Sequence, residues 1–367
     1  MKSRSLPRSA PRGFSLIELL AVLGITAVAI ALLLLGLQWA REASRRASCV
    51  NNLKQIGLAI HSYESGHQSF PIGAIMNKDN GDFGCGLQPF GYSLFASILG
   101  QMGHQPVYNS INFDVPSGGH FMGLDAGAIN RTGMVTRINS YICPSDTRQT
   151  PFPITESTNG YSQSSYAGSV GTYDIWNFSC GCPPEVGGFS CRGSVQIASD
   201  GIFYGNVATK VATIVDGSSN TIAVGETSRF TNDPDIIFNS WSRALMLMSV
   251  AGPDTSRPQG NASTVARINA PLLVGDREIY TGSRAPTGEV DAWLYLQNGA
   301  DGRTLGQYGF RSQHPGGANF LFCDGSVRFL KETIDMGNPD YIPPGAYGVY
   351  RSLSTRKGGE DPGRGAY

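Results

Sequence analysis

The residues of this sequence that could carry chemistry are a carboxylate in an apolar segment, a set of cysteines, and a histidine close to an Asp-Gly pair. Glu18 lies in the run RGFSLIELLAVLGITAVAIALLLLG, residues 12–36. A carboxylate well inside a membrane helix costs on the order of 2.5–3.5 kcal/mol, so it needs a positive partner. Cleavage after Gly13 would create such a partner, the α-amine of Phe14, which is four residues from Glu18 and on the same helix face. In an assembly, the amine could equally belong to a neighbouring copy.

Seven cysteines offer thiols for disulfides or metal binding. If the chain is exported, disulfides are the default. Three of them lie in a Gly- and Pro-rich loop, where we predict disulfide staples, and a thiolate zinc site is the alternative. The disulfide candidates are Cys180, Cys182, Cys191, Cys85 and Cys143. Cys49 and Cys323 are interpreted as buried thiols, and the odd count leaves at least one cysteine unpaired.

The segment HPGGANFLFCDGSVRFL, residues 314–330, predicts a β-hairpin. Asp324-Gly325 is a strong signal for a two-residue turn. In the resulting register, one face would hold the aromatic residues and a valine, with Leu321 and Arg328 on the other. The pairs expected on the aromatic face are Phe322 with Val327 and Phe320 with Phe329.

His314 and Asp324 are the one histidine–acid pair that raises a chemical hypothesis. Direct contact between them would require the intervening Pro-Gly-Gly segment to fold back, since an extended chain separates them by about 30 Å. We therefore predict structural roles: a turn for Asp324, and a buried hydrogen bond or cap for His314. A metal or catalytic role is the alternative.

The element that must position Glu18 is a long N-terminal helix. Leu19–Leu37 is a run of 19 uncharged residues, which as a helix spans about 28 Å, close to the thickness of a bilayer core. Four basic residues precede it, at Lys2, Arg4, Arg8 and Arg12, so the N-terminus should stay cytoplasmic. A cleaved secretory signal is a rival interpretation, although its apolar core is normally only about 7–15 residues long. A plain membrane anchor is the other rival.

Beyond the membrane segment, apolar residues continue at helical spacing to about residue 65. They are Ala43, Ala47, Val50, Leu53, Ile60 and Tyr63. After Phe70, short apolar runs alternate with Gly, Pro, Asn and Ser, which indicates strands and turns. The predicted strands include Arg137–Ile142, Gly201–Tyr204, Asn220–Val224, Ala292–Leu296 and Asn319–Phe322.

The predicted fold class is α+β: one long N-terminal helix followed by an antiparallel, β-rich and loop-rich head. The expected divisions are a basic leader (1–13), a helix (14–66) with a transmembrane segment at about 16–37, a head (67–351) and a flexible tail (352–367).

Composition narrows the function classes. The formal net charge is +0, so no electrostatic footprint for nucleic acid is visible. Gly-x-Ser-x-Gly elbows and phosphate-binding or dinucleotide-binding fingerprints are missing from the sequence. We therefore predict that the chain is not an enzyme, and we assign no catalytic residue, cofactor or metal ligand.

The stretch Gly13-Phe14-Ser15-Leu16-Ile17-Glu18 resembles the signal of type IV pilins and type II secretion pseudopilins. This resemblance implies that a prepilin peptidase cuts after Gly13 and methylates Phe14. It also implies that Glu18 pairs with the new amine and sets the assembly register. A calcium site, which some pseudopilins have in a C-terminal loop, stays open without residues.

A second resemblance extends over the whole chain in scattered blocks. His314, Asp324 and Gly325 match the His-x(9)-Asp-Gly ending of a large bacterial family of uncharacterised function, whose members also carry the prepilin-type N-terminus. Other matching blocks are CVNNLKQIGLAIHSYESGHQSFP (49–71), YICPSD (141–146), SSYAGSVG (164–171) and DGSSNTIAVGET (216–227). The resemblance assigns no reaction.

The sequence is compatible with two functions. The first is a pilin-like structural subunit, in the inner membrane with its N-terminus cytoplasmic and its head periplasmic or displayed on the cell surface. Its partners would be prepilin peptidase and other copies or other pilin-like subunits, with no nucleic acid. The alternative is a membrane-tethered binding module or enzyme that uses prepilin processing only for sorting. The sequence does not identify a ligand of the head.

Overall fold

The predicted N-terminal helix is present as α1, Leu16–His67, in the computed structural model of the protein. Gln68, with φ of 57°, follows its end, and its amide donates to the Glu64 carbonyl at 2.7 Å. The architecture is α+β, with one long helix and a head built on mostly antiparallel sheets. The structure describes residues 15–75, 90–115, 120–121, 124–146, 162, 164–172, 200–203, 207–228, 248–250, 261–264, 267–269, 309–337 and 347–359.

The chain divides into two units, and the first, Met1–Arg45, contains the apolar part of α1. The large hydrophobic side chains described in this part are exposed, from Leu16 at the start to Leu37 and Trp39. Within the described residues, α1 is the helix long and apolar enough to cross a membrane by length and composition. Glu42 and Arg45 form an ion pair at 2.6 Å after the apolar stretch.

The second unit, Arg46–Tyr367, contains the rest of α1 and the head. The buried face of the helix begins later than the apolar spacing predicted. Ala43 and Ala47 are exposed, whereas Cys49, Leu53 and Ile56 are fully buried. Spacing alone could not separate these faces, because alanine is tolerated on either side of a helix.

A five-stranded sheet packs against this part of α1. Its strands are β5 (Tyr166–Ser169), β6 (Ile222–Glu226), β8 (Asn261–Ala262), β9 (Gly317–Phe322) and β10 (Val327–Lys331). Their order in the sheet is β10-β9-β6-β5-β8, antiparallel except for the parallel pair β5–β8. Leu321 of β9 lies in one hydrophobic cluster with the buried face of α1, while Phe320 and Phe322 belong to a second cluster. The sheet is therefore covered on both faces.

The β9–β10 hairpin exists, but its predicted register was wrong by one residue. Val327 pairs with Leu321, and Arg328 pairs with Phe320. The loop has three residues because only Gly325 has a positive φ, +82°, whereas a two-residue type I′ turn needs two such residues. A one-residue shift moves each side chain of β10 to the other face. Val327 therefore packs with the helix-facing cluster.

The remaining elements are short. They are β1 (Ala74–Ile75), β2 (Phe90–Ser93), α2 (Leu94–Ser97), α3 (Gln105–Asn109), β3 (His120–Phe121), β4 (Leu124–Asp125), α4 (Ala126–Ile129), α5 (Arg131–Val135), β7 (Met248–Val250) and α6 (Val349–Ser352). Among the described residues, two predicted strands are absent: Arg137–Ile142 and the described part of Gly201–Tyr204. Arg137–Ile142 contains a 3-10 helix, Asn139–Tyr141, and in residues 201–203 two amides converge on the Ser169 carbonyl instead of forming a ladder. Ala292–Leu296 lies outside the described residues.

The chain does not become a flexible tail at residue 352. Ser352–Thr355 are buried, and the Leu353 carbonyl accepts the Ile222 amide at 2.6 Å. Glycine-rich composition suggested a tail, but the segment supplies a carbonyl to the first residue of β6, an internal strand whose buried amide needs an acceptor. Residues 360–367 lie outside the described part of the chain.

Candidate functional site

Glu18 lies at the start of α1, in its first turn. Its carboxylate accepts the Ser15 amide at 2.9 Å and the Ser15 hydroxyl at 3.0 Å, and its own amide donates to the Ser15 Oγ at 3.2 Å. This reciprocal arrangement is a capping box, which the Ser-x-x-Glu spacing could have indicated. Gly13 and Phe14 lie outside the described residues, so their predicted roles stay predictions.

Cys143 forms a disulfide, and its partner is Cys49 on α1. Cys49 is therefore not the free thiol that its helical position suggested. The bond joins residues 94 apart in sequence, with their Cα atoms 4.9 Å apart. Cys323 is a free and buried thiol. The other disulfide candidates, Cys85, Cys180, Cys182 and Cys191, lie outside the described residues.

His314 and Glu226 lie beside this disulfide. The His314 Nε2 is 3.5 Å from the Glu226 Oε1 and 3.6 Å from the Cys143 Sγ. Both side chains are completely buried. With Cys49, these residues form a group of four in which one ligand-type atom of each lies within 4.8 Å of the others. We call Cys49, Cys143, Glu226 and His314 the junction cluster, since it joins α1 to the sheet.

Local structure explains why Glu226 and His314 meet. Glu226 is the last residue of β6, and the next residue, Thr227, forms a bridge with Arg311. The Arg311 amide donates to the Glu226 carbonyl at 2.8 Å. This pairing places residue 314 beside the end of β6, where the chain turns into β9.

Asn319 of β9 holds the Glu226 carboxylate in place. Its backbone amide donates to Oε2 and its side-chain amide donates to Oε1, both at 2.9 Å. A buried carboxylate without such donors would be strongly disfavoured. The two bonds therefore fix the orientation of Glu226 towards His314.

Further contacts attach α1 to the cluster. The Asn52 side chain donates to the Ile142 carbonyl at 2.9 Å, next to Cys143. The Tyr166 hydroxyl donates to the Cys49 carbonyl at 3.3 Å. Burial and the nearby Glu226 carboxylate raise the pKa of Tyr166 well above its usual value, so it stays a neutral donor. Burial also lowers the pKa of Arg311 to about 9.

The structure does not bring His314 and Asp324 together. The Asp324 Oδ1 accepts the Ser326 amide at 2.8 Å in the hairpin turn. It therefore has the turn role that the sequence predicted, and His314 has its partners in the junction cluster instead.

Sequence reasoning missed Glu226, Asn319 and the pairing of Cys49. One signal for Glu226 was available: an acid directly follows the apolar run Ile222–Gly225, and an acid in a buried strand requires a partner. Nothing in the sequence indicated which cysteine pairs with Cys143.

Comparison with known families supports both sequence resemblances. Residues 8–34 match the Prokaryotic N-terminal methylation motif. Residues 38–337 match the family described as Protein of unknown function (DUF1559), which covers more than half of the chain. The chain belongs to the DUF1559 family. No curated protein and no solved structure matches it.

The DUF1559 match contains every residue of the junction cluster, and the methylation motif contains Gly13, Phe14 and Glu18. This DUF1559 protein therefore combines a prepilin-type N-terminal segment with a head of unknown function. Its apolar helix is compatible with a single membrane span.

Proposed function

We propose that this protein is a pilin-like structural subunit of a type IV pilus or a type II secretion-like filament. In this proposal, prepilin peptidase cuts after Gly13 and methylates Phe14. The apolar part of α1 then holds the chain in the inner membrane until it joins other copies or other pilin-like subunits. The methylation motif at residues 8–34 is the observation that carries the proposal.

The exposed surface of the first unit supports it. Side chains such as Leu16, Ile17 and Leu33 are each more than 70% exposed, and so much apolar surface needs lipid or neighbouring helices to cover it. Glu18 lies among them. A charged group there is disfavoured in hydrocarbon unless it is paired, and the amine of a processed Phe14 would pair with it.

The Cys49–Cys143 disulfide supports a periplasmic or surface location for the head, because disulfides persist in oxidising compartments. A non-enzymatic role also belongs to the proposal. Among the described residues, the histidine and acid of the junction cluster are fully buried, which suits cross-linking better than contact with a substrate.

The test compares the recovery of variants in sheared surface filaments, together with N-terminal peptide mass. Glu18→Gln keeps the capping box, because glutamine serves at that position, but it removes the charge. Glu18→Val removes both, and Glu42→Gln is the control on the same helix beyond the apolar stretch. We expect wild type and Glu42→Gln to be recovered with N-methylated Phe14 as the first residue, and both Glu18 variants to be lost from filaments.

Other results would contradict a part of the proposal or favour the alternative function. Assembly of Glu18→Gln at the wild-type level would show that Glu18 acts through capping, and charge pairing would be wrong. A mature chain that starts at Met1, or is cut near residue 37, would contradict prepilin processing. Correct processing of a wild-type chain that never enters filaments would favour the alternative, a tethered binding module or enzyme.

A further inference from the structure

The junction cluster contains the ligand types of a zinc site. Two cysteines, a histidine and a glutamate come from four separate segments, and one ligand-type atom of each lies within 4.8 Å of the other three. All four residues are buried. Zinc is bound by four such ligands in closed structural sites, at about 2.3 Å from sulfur and about 2.0–2.2 Å from nitrogen or oxygen.

The distances around His314 already match the edges of a zinc tetrahedron. From those bond lengths, a tetrahedral site separates sulfur from nitrogen by about 3.6 Å and nitrogen from oxygen by about 3.4 Å. The His314 Nε2 is 3.6 Å from the Cys143 Sγ and 3.5 Å from the Glu226 Oε1. The two sulfur atoms, which are bonded to each other, would have to separate, and the remaining ligand atoms lie within 4.8 Å of one another.

The surroundings of the cluster also suit a metal. Ligating carboxylates in zinc sites are usually oriented by further hydrogen bonds. Asn319 provides two such bonds to Glu226. The Asn52 contact with the Ile142 carbonyl supports the position of Cys143 independently of the disulfide.

We propose that the junction cluster is a redox-selected cross-link: when the Cys49–Cys143 disulfide is reduced, the same four residues bind one Zn²⁺. Reduction by a phosphine converts the disulfide to two thiols, and the phosphine takes up oxygen from water. Zn²⁺ then displaces the two thiol protons, so the net charge of the buried cluster does not change. The helix remains tied to the sheet, through the metal instead of the sulfur–sulfur bond.

The test uses the full chain in detergent, in a variant that keeps Cys49 and Cys143 and replaces the other five cysteines. The background substitutions are Cys85→Ser, Cys180→Ser, Cys182→Ser, Cys191→Ser and Cys323→Ser. The chain is incubated with Co²⁺ throughout reduction, because a buried cluster is reached only when the fold opens locally. Tetrahedral Co²⁺ bound to thiolates is recognised by its visible and near-ultraviolet absorption, and Zn²⁺ is then added as competitor.

We expect the reduced chain to bind one Co²⁺ with thiolate charge-transfer bands, and the oxidised chain to bind none. Zn²⁺ should displace Co²⁺ and raise the melting temperature of the reduced chain towards that of the oxidised chain. His314→Gln should bind Co²⁺ at least tenfold more weakly, whereas His67→Gln, an exposed control on α1, should bind like the parent.

Three outcomes would overturn the proposal. The first is a reduced chain, folded by near-ultraviolet circular dichroism, that binds no Co²⁺. The second is binding that survives Cys49→Ser together with Cys143→Ser. The third is a reduced chain that unfolds and is not restored by Zn²⁺, since the metal is proposed to replace the lost cross-link.

Discussion

Removing the Cys49–Cys143 disulfide should destabilise the head mainly through the entropy of the unfolded chain. The bond closes a loop of 94 residues. In the chain-entropy description, a loop of that length restricts the unfolded state by about 16 cal/mol/K, which corresponds to about 4.7 kcal/mol at room temperature. The double variant Cys49→Ala/Cys143→Ala removes this restriction and leaves no unpaired thiol at either of the two positions.

The expected shift in melting temperature follows from the size of the second unit. It extends from Arg46 to Tyr367, and unfolding entropy is about 2.1 cal/mol/K per residue. The loss of the cross-link should therefore lower the melting temperature by about 7 °C. The measurement is thermal unfolding of the full chain in detergent without reductant, followed by near-ultraviolet circular dichroism.

The matched control is Cys323→Ala, because Cys323 is a buried thiol without a disulfide. It measures how much the free energy of unfolding falls when one buried sulfur atom is removed, which should be about 1 kcal/mol. The cross-link contribution is the part of the double variant's shift that exceeds twice the control's shift. If no excess remains, the loop-entropy reasoning is refuted, and non-reducing peptide mapping will show whether the bond forms at all.

Three further changes test the contact between α1 and β9, the support of Glu226, and the β9–β10 turn. Gly57→Leu should lower the free energy of unfolding by about 1–3 kcal/mol, because a Cβ at residue 57 would lie 2.8 Å from the Leu321 side chain of β9. Gly66→Leu is the control and should not destabilise the protein, because a Cβ at residue 66 would have nothing within 4 Å. Asn319→Ala should cost about 1.5–3 kcal/mol, since it removes a donor from the buried Glu226 carboxylate; a neutral result in urea unfolding would contradict the assigned bond. Gly325→Ala should cost about 1–3 kcal/mol because its φ is +82°, and an unchanged urea midpoint would refute the three-residue turn.

The β9–β10 hairpin shows how far local sequence patterns reach. Asp324-Gly325 correctly located the turn, because this pair favours tight turns in most contexts. The loop length depended on the sign of φ at Asp324, which the pair alone does not determine. Packing of Val327 and Leu321 in the helix-facing cluster accompanies the observed register, and that contact is made with a helix more than 250 residues earlier in the sequence.

The N-terminal segment could be interpreted from neighbouring residues, whereas the junction cluster depends on contacts between distant parts of the chain. Glu18 could be identified from its neighbours, because the few residues on either side already show that an acid lies in an apolar run, which is unusual. The cluster draws its members from positions 49, 143, 226 and 314. Some of these residues could be singled out in their own segments, but no local pattern indicated that the four meet, so only the folded chain reveals that they share one buried volume.

The place of the disulfide on α1 suits a helix that carries mechanical load. Cys49 is the first buried residue among the described side chains of α1, and the preceding unit ends at Arg45. If the chain is the filament subunit proposed above, tension would pass along the backbone from that unit and reach the head at this end of the buried face. Without a cross-link, the helix could separate from the sheet one side chain at a time, each resisting with about 1.5–3 kcal/mol. A covalent bond, or a metal in its place, at the first buried position passes the tension to Cys143 in the head, so the contacts behind it are not broken one at a time.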